Sequence, residues 1–188
     1  MFKKLHRQMT IFASLITSGI LILMAVSCLV ISERGITHNT YERFLNNGNS
    51  CVAYLENQTV LSHKWILEAK QEYKVEFRIR NNGKKLYFDK LDTESQNQDK
   101  KEEDLSSVEN MLTEAARISR EEQGLDVDYM GSLSLSKTVY FETSDFYACT
   151  ALIPKGSGVL SLVLVYPLDG LKTQIFHQRV WFGGMVLL

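Results

Sequence analysis

The sequence lacks an excess of charge of either sign. It holds 21 Lys and Arg against 22 Asp and Glu. A dedicated nucleic-acid binder carries a clear basic surplus, so no nucleic acid is expected among its partners. Histidine and cysteine are also scarce, at four and three residues. His38, His63 and His177 do not stand at metal-ligand spacing from any cysteine or acid cluster, and no metal site is expected. Asp126 and Asp128 fall short of the ligand set of a calcium loop. The chain has no P-loop, no G-x-G-x-x-G and no spacing that suggests a Ser/His/Asp constellation. It therefore shows no catalytic residues and calls for no cofactor of its own.

Charge is also absent locally. Residues 9–31, "MTIFASLITSGILILMAVSCLVI", contain no charged residue and no proline. A helix needs about 20 such residues to cross the hydrocarbon core of a bilayer. A buried helix of a soluble protein is rarely apolar on every face for that length. Lys3, Lys4 and Arg7 precede this run, and Glu33, the first acid, follows it. Residues 32–178 hold all 22 acids against 17 bases, a net −5. This asymmetry follows the positive-inside tendency. Residues 1–8 are thus expected in the cytoplasm, 9–31 as a transmembrane helix in the cell membrane, and 32–179 as an extracytoplasmic domain. Two rivals stand beside the anchor. A cleaved signal peptide has an apolar core of only about 7–15 residues. A lipoprotein signal would use Ala25-Val26-Ser27 before Cys28 and would yield a lipid-anchored binding protein without signalling output.

The sequence closes on "VWFGGMVLL" (180–188), too short to span a bilayer. Trp181 sits where an interfacial aromatic belongs, with Arg179 just before the run. Residues 180–188 are expected to be the start of a second, truncated transmembrane helix. The alternative is an apolar strand or tail buried in the domain.

Within 32–179 the apolar period alternates between helix and strand. Ile36, Tyr41, Phe44, Leu45, Val52 and Leu55 recur at helical spacing, with "NNGNS" (46–50) a weak point where the helix can bend or break. A short helix is expected at 62–73 behind Ser62. "KVEFRIR" then puts Val75, Phe77 and Ile79 on one face and Glu76, Arg78 and Arg80 on the other. The Asn-Gly that follows signals a β-hairpin over 74–88. Residues 89–104 read as a solvated loop, and 105–120 as a helix with Ser106 and Glu109 at capping-box spacing. Strands are expected at 137–143, 146–153 and 159–166. The last, "VLSLVLVY", is apolar on both faces, as a central strand is. A helix capped by Asp169 then leads into the final run. The fold class is α+β: a single domain with one antiparallel sheet of about five strands, flanked by helices that continue into the spans.

This arrangement resembles the extracytoplasmic sensor portion of bacterial two-component sensor histidine kinases, with a PAS-like (PDC or Cache-type) fold. The basic start "MFKKLHRQMT", the span 9–31 and "GVLSLVLVYPLDGLKTQIFHQRVWFGG" carry the resemblance. It implies a signal-sensing input region in a homodimeric membrane receptor, with a small-molecule or envelope signal. It also implies a central last strand, and a helix displacement that transmits the signal. ATP, magnesium and a cytoplasmic response regulator would belong to a kinase part absent from this chain. None of its four histidines sits in an H-x-[RK]-x-P setting, and no glycine-rich ATP box follows. Chemoreceptors and nucleotide cyclases can carry the same module.

Candidate ligand-binding residues follow from side-chain chemistry. Arg78 and Arg80 share a strand face and could meet Lys84, Lys85 or Tyr87 across the hairpin, forming a pocket for an anion such as a carboxylate. The alternative is a solvated face with Glu76 as partner. Tyr140, Tyr147 and Thr150 could line the same cavity, or be ordinary strand packing. Cys51 and Cys149 could form a disulfide in an oxidising compartment, or stay buried thiols.

Overall fold

The computed structural model describes residues 2–58, 61–86, 98–156 and 158–187. Helix α1 runs unbroken from Phe2 to Asn57. Its uncharged part, 9–31, meets the length and composition needed to cross a membrane, and none of its most apolar stretch is buried. Two hydroxyls of this part bond back to the helix itself. Thr17 Oγ1 bonds Ala13 O at 2.9 Å, and Ser27 Oγ bonds Leu23 O at 2.8 Å. Such back-bonds pair these two donors within the helix.

The weak point at 46–50 does not break the helix, which is continuous there. Gly48 is a site of close approach instead. A Cβ there would stand 2.8 Å from Tyr140 Cε1 and 3.0 Å from its hydroxyl oxygen. Glycine costs the helix about 1 kcal/mol relative to alanine, and here that cost admits an aromatic ring.

Helix α2 spans His63–Tyr73 and buries Ile66 and Ala69. Strands β1 (Glu76–Asn81) and β2 (Lys84–Lys85) form the hairpin. Asn82 and Gly83 turn it with φ of 49° and 73°, the left-handed pair that an Asn-Gly turn supplies. Helix α3 spans Gln98–Glu121. It begins well before residue 105, so 98–104, expected as loop, is helical. Ser106 therefore lies inside the helix rather than at its cap. Strands β3 (Lys137–Glu142), β4 (Phe146–Lys155) and β5 (Gly158–Pro167) follow, and helix α4 runs Asp169–Leu187.

All strand pairs are antiparallel, in the order β2-β1-β5-β4-β3. The expectation of about five strands needs correction. Among the described residues, four strands of six to ten residues build the sheet, and β2 adds only a two-residue rung beside β1. The hairpin residues that would have extended it fall partly in 87–88, outside the described residues. Strand β5 lies between β1 and β4, and residues 158–165 are buried on both faces.

Register assigns the two faces. One face presents Ala148, Val163, Val165, Phe141 and Phe146, which pack with Leu112, Ala115 and Ile118 of α3. The other presents Tyr147, Cys149, Leu162 and Leu164, toward the C-terminal half of α1, where Phe44, Cys51 and Leu55 are buried. Each buried aliphatic side chain contributes about 1.5–3 kcal/mol. The chain divides into two compact units: Tyr41–Leu168, which holds this sheet, and Met1–Thr40 with Asp169–Leu188.

Candidate functional site

The sequence-nominated residues do not gather in one cavity. Arg78 pairs with Val163, and Thr150 pairs with Val163 from the other side, so Arg78, Arg80 and Thr150 share the α3 face. Tyr140 pairs with Cys149, and Tyr147 flanks it, so both tyrosines lie on the α1 face. Tyr87 lies outside the described residues.

On the α3 face the arginines meet acids of α3 and of the loop after it. Arg78 is only 6% exposed. Its Nη2 donates to Thr113 Oγ1 at 2.9 Å and to Glu109 O at 3.2 Å, and pairs with Glu109 Oε1 at 2.9 Å. Arg80 Nη1 pairs with Asp128 Oδ1. Arg120 adds Asp126 Oδ1 at 2.8 Å and Asp128 Oδ2 at 2.6 Å. Burial, and then the charges of Arg78 and Arg120, pull the Arg80 pKa below its ordinary value, against the pull of Glu109. The Nε groups of Arg78 and Arg80 are buried and, among the described residues, find no hydrogen-bond partner. Two N–H donors on one strand face are thus without a partner among the described residues, a costly arrangement unless something accepts from them. Glu76, nominated as their partner, is instead engaged by Lys70 at 2.9 Å.

Thr150 has a structural task. Its hydroxyl shares a 2.7 Å bond with Ser119 Oγ, and Ser119 donates to Leu125 O at 2.9 Å, all in buried surroundings. The bond ties α3 to β4.

On the α1 face, Tyr147 is a core residue, 1% exposed. Tyr41 meets it edge-on at 5.0 Å, and Phe44 lies 5.8 Å away. Tyr140 is half-buried and donates from its hydroxyl to Asn49 Oδ1 at 2.7 Å. Burial raises its pKa, and the nearby Cys149 and Cys51 add to the shift. At the far end of the sheet Lys155 Nζ donates to Glu56 O at 2.8 Å and Gln58 O at 2.7 Å, closing the C-terminus of α1.

The unit of residues 1–40 and 169–188 has its own polar contact. Arg179 of α4 grips Glu33 of α1 with Nε at 2.6 Å and Nη2 at 2.8 Å. Gln178 Nε2 donates to Ser32 Oγ at 2.6 Å. The Arg179 hydrogen bond, opposed by burial, lowers the Glu33 pKa. Farther along α1 an open apolar groove of about 460 Å³ is lined by Ile20, Leu23, Met24, Ser27, Cys28 and Ile31.

Sequence reasoning missed the roles of Glu33, Arg179, Arg120 and Lys155. A readable signal existed for the first pair: the acid just after one apolar run and the base just before the other. Asp126 and Asp128 were noted only as loop acids. Among the described residues no group of three or more His, Cys, Asp or Glu could hold a metal ion. Comparisons with protein-family models, with curated proteins and with solved structures find no match.

Proposed function

We propose that this chain is the signal-sensing input region of a membrane-bound receptor, with a two-component sensor histidine kinase as the parent. One observation carries the reading. Helix α1 is continuous from the uncharged span to Cys51 and Leu55, which are fully buried in the sheet-bearing unit. The helix is unbroken between the two, the kind of connection through which a change in packing around Phe44 or Cys51 could be passed on. The second connection is also short: Leu168 alone separates β5, the central strand, from α4. A central last strand is what the resemblance implies.

In this reading the N-terminus is cytoplasmic, 32–179 faces outward, and the receptor is a homodimer. Ile20, Met24, Ser27 and Ile31 recur every three or four residues along the open groove, the spacing of a helix–helix seam. The signal acts on the sheet-bearing unit and biases one of two conformations. The unused Nε donors of Arg78 and Arg80 favour a small anion as ligand, a carboxylate among them. ATP, magnesium and the response regulator belong to the kinase part.

The test is a chimera. Residues 1–188 are joined to the cytoplasmic core of a characterised sensor kinase, and autophosphorylation is measured in membrane vesicles. Arg179→Glu, which sets two like charges against each other, is expected to change the basal rate severalfold at unchanged expression. Equal rates for the parent and this variant, with no response to any anion tried, would remove the receptor reading. Recovery of the protein cleaved and lipidated at Cys28 would favour the lipid-anchored alternative.

A further inference from the structure

Cys51 and Cys149 belong to different elements, and both are completely buried on the same face of the sheet. Their proximity follows from how α1 lies on β4. At one end the Phe44 ring sits 5.8 Å from Tyr147. At the other, Lys155 holds the carbonyls of Glu56 and Gln58 at 2.8 and 2.7 Å. Helix and strand therefore run alongside each other in the same direction. From Phe44 to Cys51 the helix advances about 10 Å. That is the length of about three strand residues. It carries Cys51 from above Tyr147 to above position 150, where the two side chains on that face are Cys149 and Ala151. Tyr140 brackets the same spot. It pairs with Cys149 in register, its ring fills the space over Gly48, and its hydroxyl bonds Asn49, two residues before Cys51.

We infer that Cys51 and Cys149 are a dithiol that accepts an intramolecular disulfide, a modification site that pins the span-bearing helix to the sheet. The chemistry is thiol–disulfide exchange with a small-molecule disulfide such as oxidised glutathione. One thiolate attacks the glutathione disulfide, forming a mixed disulfide and releasing one glutathione thiolate. The second cysteine, once deprotonated, attacks the protein sulfur of that mixed disulfide and releases the second glutathione. Two cysteine thiols are oxidised and one disulfide is reduced to two thiols. Burial pushes both cysteine pKa values up to about 12, so the closed protein presents unreactive thiols. Exchange then requires a partial lifting of α1 from β4, and the bond that forms opposes further lifting. The inference does not depend on which side of a membrane the unit occupies.

The experiment uses the full chain in detergent micelles. It is incubated with oxidised glutathione at pH 8 over a urea series, quenched with acid, denatured, alkylated with iodoacetamide, digested and mapped by mass spectrometry. A Cys51–Cys149 linked peptide is expected below the unfolding midpoint, forming faster as urea rises. It should be absent from Cys51→Ala and from Cys149→Ala. The oxidised parent should unfold at higher urea than the reduced parent, and the two should coincide in Cys51→Ala. Stable glutathione adducts on either cysteine, or no linked peptide at any urea concentration below the midpoint, would overturn the inference. Adducts without a link mean that the second sulfur is out of reach, and no reaction below the midpoint means that α1 does not lift from β4 to admit the oxidant.

Discussion

Arg179 holds Glu33 through two parallel hydrogen bonds, Nε at 2.6 Å and Nη2 at 2.8 Å, across 146 residues of sequence. The bidentate fork suits a guanidinium and a carboxylate and would not survive an Arg-to-Lys change. The Arg179 side chain is 62% exposed and that of Glu33 17%. Salt therefore screens the pair, and its direct worth to stability is small. Its importance lies in position, because it joins the two helices beside the apolar runs.

The first prediction concerns this pair. Glu33→Ala and Arg179→Ala should lower the thermal midpoint of the full chain by similar small amounts, and the double variant by no more than either single one. Raising salt should erase the difference. The lowered Glu33 pKa means that the pair contributes fully above the ordinary carboxylate range, and that the contribution is lost as pH falls from that range through the lowered Glu33 value. Calorimetry on the three variants at low and high salt checks the claim. Additive losses would show that the two residues act separately.

Gly48 and Gly35 make a controlled comparison on one helix. Alanine is the better helix former by about 1 kcal/mol at either site. At Gly35 nothing lies within 4 Å of the added Cβ, so Gly35→Ala should gain up to that amount. At Gly48 the Cβ would meet Tyr140 at 2.8 Å. The ring is held by Asn49 and by Phe44 at 6.2 Å, so overpacking should cost about 1–3 kcal/mol. Gly48→Ala should therefore destabilise, despite its propensity. Urea unfolding of both variants decides the point, and a stabilised Gly48→Ala would mean that the ring moves aside freely.

The Ser119–Thr150 bond predicts non-additivity. Ser119→Ala leaves Leu125 O and the Thr150 hydroxyl without this partner in buried surroundings, at a cost of about 1–3 kcal/mol. Thr150→Val alone removes one partner. The double variant should lose clearly less than the two singles combined, because no hydroxyl is left stranded. A double-mutant cycle by urea denaturation measures the coupling energy, and a value near zero would deny the bond its buried role.

Some of this was legible in the sequence, for identifiable reasons. Asn82-Gly83 announced its turn because few residue pairs tolerate two successive positive φ values. Strand β5 announced its central place because both faces of "VLSLVLVY" are apolar. What stayed hidden depended on register. Within a strand, alternation sorts residues into two sets, but it does not say which set faces which set on the next strand. Arg78 and Thr150 share a face with each other and not with Tyr140 because each pairs with Val163, and no local feature of "EFRIRN" or "FYACTALIPK" encodes that partner. Gly48 was misread for a similar reason. Its neighbours "NNGNS" describe a weak helix, while the ring that needs the glycine lies 92 positions away.

Alkaline pH provides the last prediction. Burial raises the pKa of Cys51 and of Cys149 to about 12, from an ordinary 9.0. Burial also raises those of Tyr140 and Tyr147 from 10.0. In every case the fold holds the neutral form. As pH rises, the unfolded chain therefore loses these protons before the folded chain does. Stability from these groups is complete below about pH 9 and declines through the window from 9 to 12. The urea midpoint should be level between pH 7 and 8.5 and then fall steadily. Replacing both cysteines by alanine should weaken the onset near pH 9 while leaving the later, tyrosine-driven fall. A midpoint independent of pH up to 11 would show that these four groups are hydrated in the folded protein, and that the α1 face of the sheet is not sealed by the helix that lies on it.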